Sequence, residues 1–114
     1  MIKFENELKK VTEENIKGEV KLTLSGLADF NIRNEKLRMF SLAELKPGEE
    51  VEFHIHENEC EYYYIISGNG LYNDNGKEID VVPGTITFTP SREGHGIKNS
   101  GNDLLKFIAL IILD

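Results

Sequence analysis

From Gly18 onward the chain alternates apolar and polar residues. The stretch EVKLTLSG (residues 19–26) puts Val20, Leu22 and Leu24 on one side and charged or hydroxyl residues on the other. That is the two-residue period of a half-buried strand. KLRMFSLAEL (residues 36–45) is a second, longer run, stopped by Lys46-Pro47-Gly48. Turn signals then recur at short intervals: Ser67-Gly68-Asn69-Gly70, Asp74-Asn75-Gly76, Pro83-Gly84, Pro90-Ser91 and Asn99-Ser100-Gly101. All three prolines fall in these turns, where the missing N–H breaks no ladder bond. Short strands with turns at this spacing predict an all-β sandwich or barrel. Within it, NDNGKE predicts a tight hairpin, because Asn75-Gly76 supplies the positive φ values of a type I′ turn.

Two segments stand apart from the alternation. Residues 4–17 have helix-friendly composition without a 3.6-residue period, so residues 1–17 are expected to form an arm of undefined local state ahead of a β-barrel domain at 18–114. FIALIIL (residues 107–113) does not alternate and predicts a strand covered on both faces. One face would look into the barrel. The other would meet a second sheet, the arm or another subunit.

Composition narrows the function classes. The net charge is −7, and no run of Lys or Arg is long enough to follow a phosphate backbone, which argues against nucleic acid and anionic membranes as partners. The single cysteine, Cys60, rules out an internal disulfide framework and fits a reducing compartment. The N-terminus lacks the apolar core of a signal peptide, and the longest apolar run is far short of a membrane span. A soluble cytoplasmic protein is expected.

The chemistry concentrates in FHIHENECEYYYIISG (residues 53–68), which holds two of the chain's three histidines. His54 and His56, two apart on a strand, leave the same face, with Cα atoms about 6.6 Å apart. Both imidazoles can then close on one ion at about 2.0–2.1 Å from nitrogen. A turn through ENEC is expected to return Glu61 on the neighbouring strand, within carboxylate reach of the same point. Cys60 and the other glutamates of this stretch are expected to be turn and surface. The third histidine, His95, follows far downstream in PSREGHGIKN.

Gly48, His54-x-His56, Glu61 and Gly68, at these spacings, resemble the first motif of the cupin superfamily without a departure. Gly84, Pro90, His95 and Asn99 resemble its second motif. One position departs: the family has glycine two residues after the proline, and this chain has Arg92. The two motifs span about half the chain, residues 48 to 99.

The resemblance implies a double-stranded β-helix, or jelly-roll, with His54, His56, Glu61 and His95 pointing inward onto one divalent transition metal. Three imidazoles and a carboxylate suit Mn, Fe, Co, Ni, Cu or Zn and leave positions open for Lewis-acid or O₂ chemistry. A merely polar barrel lining is the competing reading of the same four side chains. The resemblance also turns Met39, Ser41 and Ala43, and Phe107, Ala109 and Ile111, inward around a mostly apolar cavity.

With Glu61 inward, Tyr63 and Ile65 face in as well and Tyr62 and Tyr64 face out. Tyr63 is either a donor to a ligand on the metal or a core aromatic. The outward tyrosines, with Phe53 and Ile55, would give one sheet an apolar outer face, and a homodimer through packed sheets is the usual cupin solution. Arg92 is a candidate fork for a substrate carboxylate or phosphate. Asn99 fits a loop-stabilising role.

Cupins serve many functions, so the fold leaves function open. The leading expectation is a metal-dependent enzyme, of isomerase or dioxygenase type, acting on a small polar metabolite such as a sugar or a hydroxy or keto acid. Glu61 and Tyr63 are its candidate catalytic groups, and Arg92, Tyr63, Met39, Ser41, Phe107 and Ala109 its candidate substrate contacts. A metal-containing binding or sensor module without turnover is the alternative, and a purely structural barrel the third.

Overall fold

A computed structural model describes all residues, 1–114. After a short 3-10 turn at Glu5–Glu7 come ten strands: β1 (Lys10–Glu14), β2 (Val20–Gly26), β3 (Leu37–Leu45), β4 (Glu50–Ile55), β5 (Glu59–Ser67), β6 (Gly70–Asp74), β7 (Lys77–Val81), β8 (Ile86–Thr89), β9 (Gly94–Asn99) and β10 (Leu105–Leu113). They form two antiparallel sheets, ordered β1-β2-β3-β10-β5-β8 and β4-β9-β6-β7. The fold is the all-β jelly-roll of the cupins, and no helix is long and apolar enough to cross a membrane.

Period-two patterning decides which side chains meet. On β5, Glu59, Glu61, Tyr63 and Ile65 are buried while Tyr62, Tyr64 and Ile66 are exposed. On the adjacent β10, Leu105, Phe107, Ala109 and Ile111 are buried. Register aligns these inner rows: Tyr63 opposes Ala109, and Ile65 opposes Phe107. Leu45, Ile65, Ile97 and Leu105, all fully buried, pack between the sheets. Burying an aliphatic side chain of this size contributes about 1.5–3 kcal/mol. The Asn75-Gly76 turn joins β6 to β7 with φ of 50° and 102°, the positive values of a type I′ hairpin.

The arm contains a strand. β1 pairs antiparallel with β2, Val11 against Leu24 and Glu13 against Leu22. All five of its residues are exposed, which is why the segment shows no strong burial period in sequence. Val11 and Glu13 nonetheless share the inner face with Leu24 and Leu22, because directly opposed residues project to the same side.

Two expectations about the outer face change. Phe53 and Ile55 lie on β4, in the four-stranded sheet, whereas Tyr62 and Tyr64 lie on β5 in the six-stranded one. The tight turn after His56 sends the chain to the opposite sheet, so the four residues share no face. The outer side of β10 is not covered by a further layer: Ile108, Leu110 and Ile112 are only half-buried. Their apolar character extends across the sheet through Tyr62, Tyr64, Ile66, Ile86 and Phe88.

Gly68 closes the β5–β6 turn at φ +82°, and a Cβ there would sit 2.5 Å from the Leu104 carbonyl oxygen. Both the left-handed backbone and the close approach demand glycine. Gly68→Ala is expected to cost about 2 kcal/mol or more, read as a lower denaturant midpoint with unchanged slope.

Candidate metal centre

The site is assembled from both sheets. His54 on β4 opposes His95 on β9 directly in register, so the strand neighbouring His54 carries the third histidine. Glu61 arrives from β5 in the facing sheet, not from a strand beside β4 as the spacing suggested. His56 lies just past β4, its backbone N–H donating to Glu93 O at 3.1 Å and its carbonyl accepting from the Arg92 N–H at 2.6 Å.

The ring nitrogens converge. His54 Nε2 is 3.0 Å from His56 Nε2, which is 3.1 Å from His95 Nε2. Glu61 Oε1 lies 2.8 Å from His56 Nε2 and 2.7 Å from His95 Nε2. The four donor atoms all fall within 4.8 Å of one another. His54, His56, Glu61 and His95 are therefore positioned to hold a metal ion.

The other ring nitrogens explain why this cluster wants a cation. His54 Nδ1–H donates to the Glu52 carbonyl at 2.8 Å, and His56 Nδ1–H donates to Glu59 Oε2 at 2.6 Å. A carbonyl and an ionised carboxylate only accept, so these partners assign both tautomers. With both rings neutral, each imidazole then turns a bare Nε2 lone pair toward the other, with no proton between them. His95 Nδ1 meets Tyr72 OH at 2.8 Å and Thr89 Oγ1 at 2.9 Å, two hydroxyls able to accept its proton. A cation satisfies such a set, and outward hydrogen bonds on ligating imidazoles orient and tune metal sites.

Burial sets the proton affinities. Desolvation pushes the Glu61 carboxyl up to about 7, against the opposing pull that His56 and His54 exert when protonated. Desolvation, then repulsion from His54, pushes His95 down to about 3, so its ring is neutral and ready to ligate at neutral pH. Glu59 is held below the usual carboxylate range, first by the Arg38 hydrogen bonds. Arg38 donates to it from Nε at 2.6 Å and from an Nη at 2.9 Å, the bidentate geometry of strong carboxylate recognition.

Above the donors opens a cavity of about 560 Å³. Met39, Ala43, Tyr63, Phe107, Ala109 and Ile111 line it, together with Leu22, Leu24, Val51, Phe53 and Ile55. Tyr63 packs between Phe107 and His95, with ring centroids 4.5 and 4.7 Å away. Burial, then the Glu61 charge, holds its hydroxyl well above the usual phenol range. The hydroxyl therefore stays protonated.

Not every expected residue reaches the cavity. Ser41 is buried but opens on a separate hollow bounded by Ala28, Phe30 and Arg33 of the segment after β2. Arg92 is exposed and lines none of the cavity. Its contribution is its backbone, at φ +76°, the left-handed conformation for which the family uses glycine. Asn99 ties the loops as expected, donating to Leu45 O and Asp103 O at 2.8 Å.

Other residues were missed. Glu59, expected at the surface, is buried and holds His56. It has the same strand parity as Glu61, which would have found it had the strand been started two residues earlier. Arg38, Glu13, Lys21, Tyr72 and Thr89 come from strands that nothing local in sequence connects to the histidines.

The cupin-domain family model matches residues 41–111. The chain belongs to the cupin family. This cupin is 43% identical over 97 residues to the oxalate-binding protein of Thermotoga maritima, an alignment covering 85% of this chain and 78% of that protein. A T. maritima crystal structure, named a predicted oxalate decarboxylase, superposes with a TM-score of 0.90 at 36% identity, covering all of both chains. An RmlC-like cupin from Shewanella frigidimarina, at TM-score 0.77 and 20% identity over 98% of this chain and 89% of that one, shares the fold.

Two outcomes follow from the geometry. Glu59→Gln removes the acceptor charge behind His56 and is expected to weaken metal binding about 10–100-fold, measured by chelator competition. In the unloaded site the proton on Glu61 competes with the metal below pH 7. Affinity should therefore rise by about tenfold per pH unit from this group below 7 and level off above it, read in the same competition from pH 5 to 8.

Proposed function

We propose that this cupin binds one divalent transition metal, among Mn, Fe, Co, Ni, Cu and Zn, through His54, His56, Glu61 and His95, and that the bound ion presents a small carboxylate ligand to the cavity. The observation that carries the reading is the convergence of the His54, His56, Glu61 and His95 donor atoms within 4.8 Å of one another, with the His54 and His56 Nε2 atoms 3.0 Å apart, a contact that repels between neutral rings without a cation. Nitrogen-rich donors favour these borderline ions over Mg and Ca. The name of the T. maritima oxalate-binding protein supports a carboxylate ligand, which an ion with open positions attracts.

A catalytic reading, of isomerase or dioxygenase type on a sugar or a hydroxy or keto acid, uses the same site. It is favoured by Tyr63, whose protonated hydroxyl has no hydrogen-bond partner within the protein and belongs to a cavity-lining residue. Glu61 would then serve as ligand and proton acceptor, and Tyr63 as donor to a ligand oxygen. The ion, when bound, supplies Lewis-acid chemistry.

We also propose a homodimer formed through the outer face of the six-stranded sheet, where Tyr62 stacks on Phe88 at 4.8 Å beside exposed Tyr64, Ile66 and Ile86. A cytoplasmic setting is part of the proposal, resting on the lone free thiol of Cys60. Sedimentation should give a dimer for the parent chain and a monomer for Phe88→Glu.

The metal reading is tested by titrating chelator-stripped protein with Mn and with Zn. One ion per chain and a raised melting temperature are expected, with His54→Ala losing both while keeping its circular dichroism spectrum. Binding in His54→Ala as tight as in the parent would refute the ligand assignment. Oxalate should then bind to the loaded protein and not to the stripped one.

A further inference from the structure

We propose that this site takes a 2-oxo or 2-hydroxy monocarboxylic acid carrying an apolar side chain, its acid end at the converged His and Glu donors and its side chain against the apolar wall of the cavity. The inference rests on the metal-dependent carboxylate reading above and names the ligand class within it. Oxalate and 2-oxo acids share one feature, a carboxylate next to a second oxygen on the adjacent carbon. Donors that favour the first accommodate the second.

Size comes first. The cavity of about 560 Å³ holds roughly nineteen waters at about 30 Å³ each. Oxalate is only two joined carboxylates, so it leaves most of that space wet. Lining comes second. Eleven of the twenty lining residues are hydrophobic. Leu22, Leu24, Met39, Val51, Phe107 and Ile111 form a wall that gives oxalate nothing to bury and gives an aliphatic or aromatic side chain a dry surface.

Charge is the third observation, and it separates a monoacid from a long diacid. The lining carries five carboxylates, Glu13, Glu52, Glu57, Glu59 and Glu61, against Lys21 and Arg38. Arg38 is already engaged by Glu59 through two hydrogen bonds. Four of those carboxylates sit at the donor end, since Glu61 is a donor, Glu59 bonds His56 and Glu52 and Glu57 flank the histidines. Away from the donors the charged lining is Glu13 and Lys21, so a second ligand carboxylate there would lose its water without a net positive field to receive it, whereas an apolar end has no such cost. The unpartnered Tyr63 hydroxyl supplies a donor between the two ends, suited to an oxygen near the acid group.

The test is calorimetric titration of the manganese-loaded protein with oxalate, pyruvate, 2-oxobutanoate, 4-methyl-2-oxopentanoate and 2-oxoglutarate. Affinity should climb about fourfold for each carbon added to the apolar side chain, on the order of fiftyfold from pyruvate to 4-methyl-2-oxopentanoate. Met39→Gln should reduce the ratio of 4-methyl-2-oxopentanoate to oxalate affinity at least about fivefold. Leu24→Asn serves as a second variant should the first lose its fold. A flat series with oxalate still binding overturns this inference and leaves the carboxylate reading standing. So does 2-oxoglutarate binding more tightly than 4-methyl-2-oxopentanoate. If neither oxalate nor any oxo acid binds the loaded protein, both fall.

Discussion

The metal centre depends on the absence of a proton between two neutral imidazoles. The Glu52 carbonyl and the Glu59 carboxylate accept hydrogen bonds from the Nδ1–H groups of His54 and His56, so that in the neutral rings the Nε2 lone pairs face each other at 3.0 Å. The cost of that arrangement is borne by the surrounding ladders. The β4–β9 register sets His54 opposite His95, and buried β5 carries Glu61 in from the other side. A sandwich needs none of this to bury Leu45, Ile65 and Leu105. The site is a strain imposed by the fold on its most polar residues, relieved by a cation.

The same polarity runs outward in layers. Arg38 neutralises Glu59, which orients His56. Tyr72 and Thr89 hold His95 from behind and bond to each other at 3.1 Å. Each of the three imidazoles therefore has a partner behind it, and their open valences all point at one place. On the other side of Tyr63 the lining becomes apolar at once. The cavity thus has one reactive end and one indifferent one.

Much of this was legible because strand parity is so strict. Once Glu61 was placed inward, Tyr63, Ile65 and the alternate set Tyr62 and Tyr64 followed, whereas Phe107, Ala109 and Ile111 were placed inward by the cupin resemblance. What failed was connection between sheets. Glu61 was expected beside His54, and Phe53 was joined to Tyr62, because a short turn reads the same whether the chain returns in its own sheet or crosses to the facing one. Arg38 and Glu13 were invisible for a related reason. The partner of Arg38, Glu59, is 21 residues away, and exposed β1, which carries Glu13, lacks the burial that would print a pattern on it. Arg92 showed a different limit: its backbone angle, not its charge, is what the position requires.

Three of the four donors belong to the four-stranded sheet side of the molecule and one to the six-stranded sheet. No backbone ladder joins those two layers; they are held face to face by side-chain contacts and by the turns that cross between them. An ion seated among the donors would add its coordination bonds to the few hydrogen bonds that cross the sandwich, from Tyr72 and His95 to Thr89 and from Asn99 to Leu45, a rivet between plates that otherwise rely on greasy contact. The spacing of the plates and the width of the cavity would then be set by coordination length, so loading the centre would also gauge the mouth through which the ligand enters.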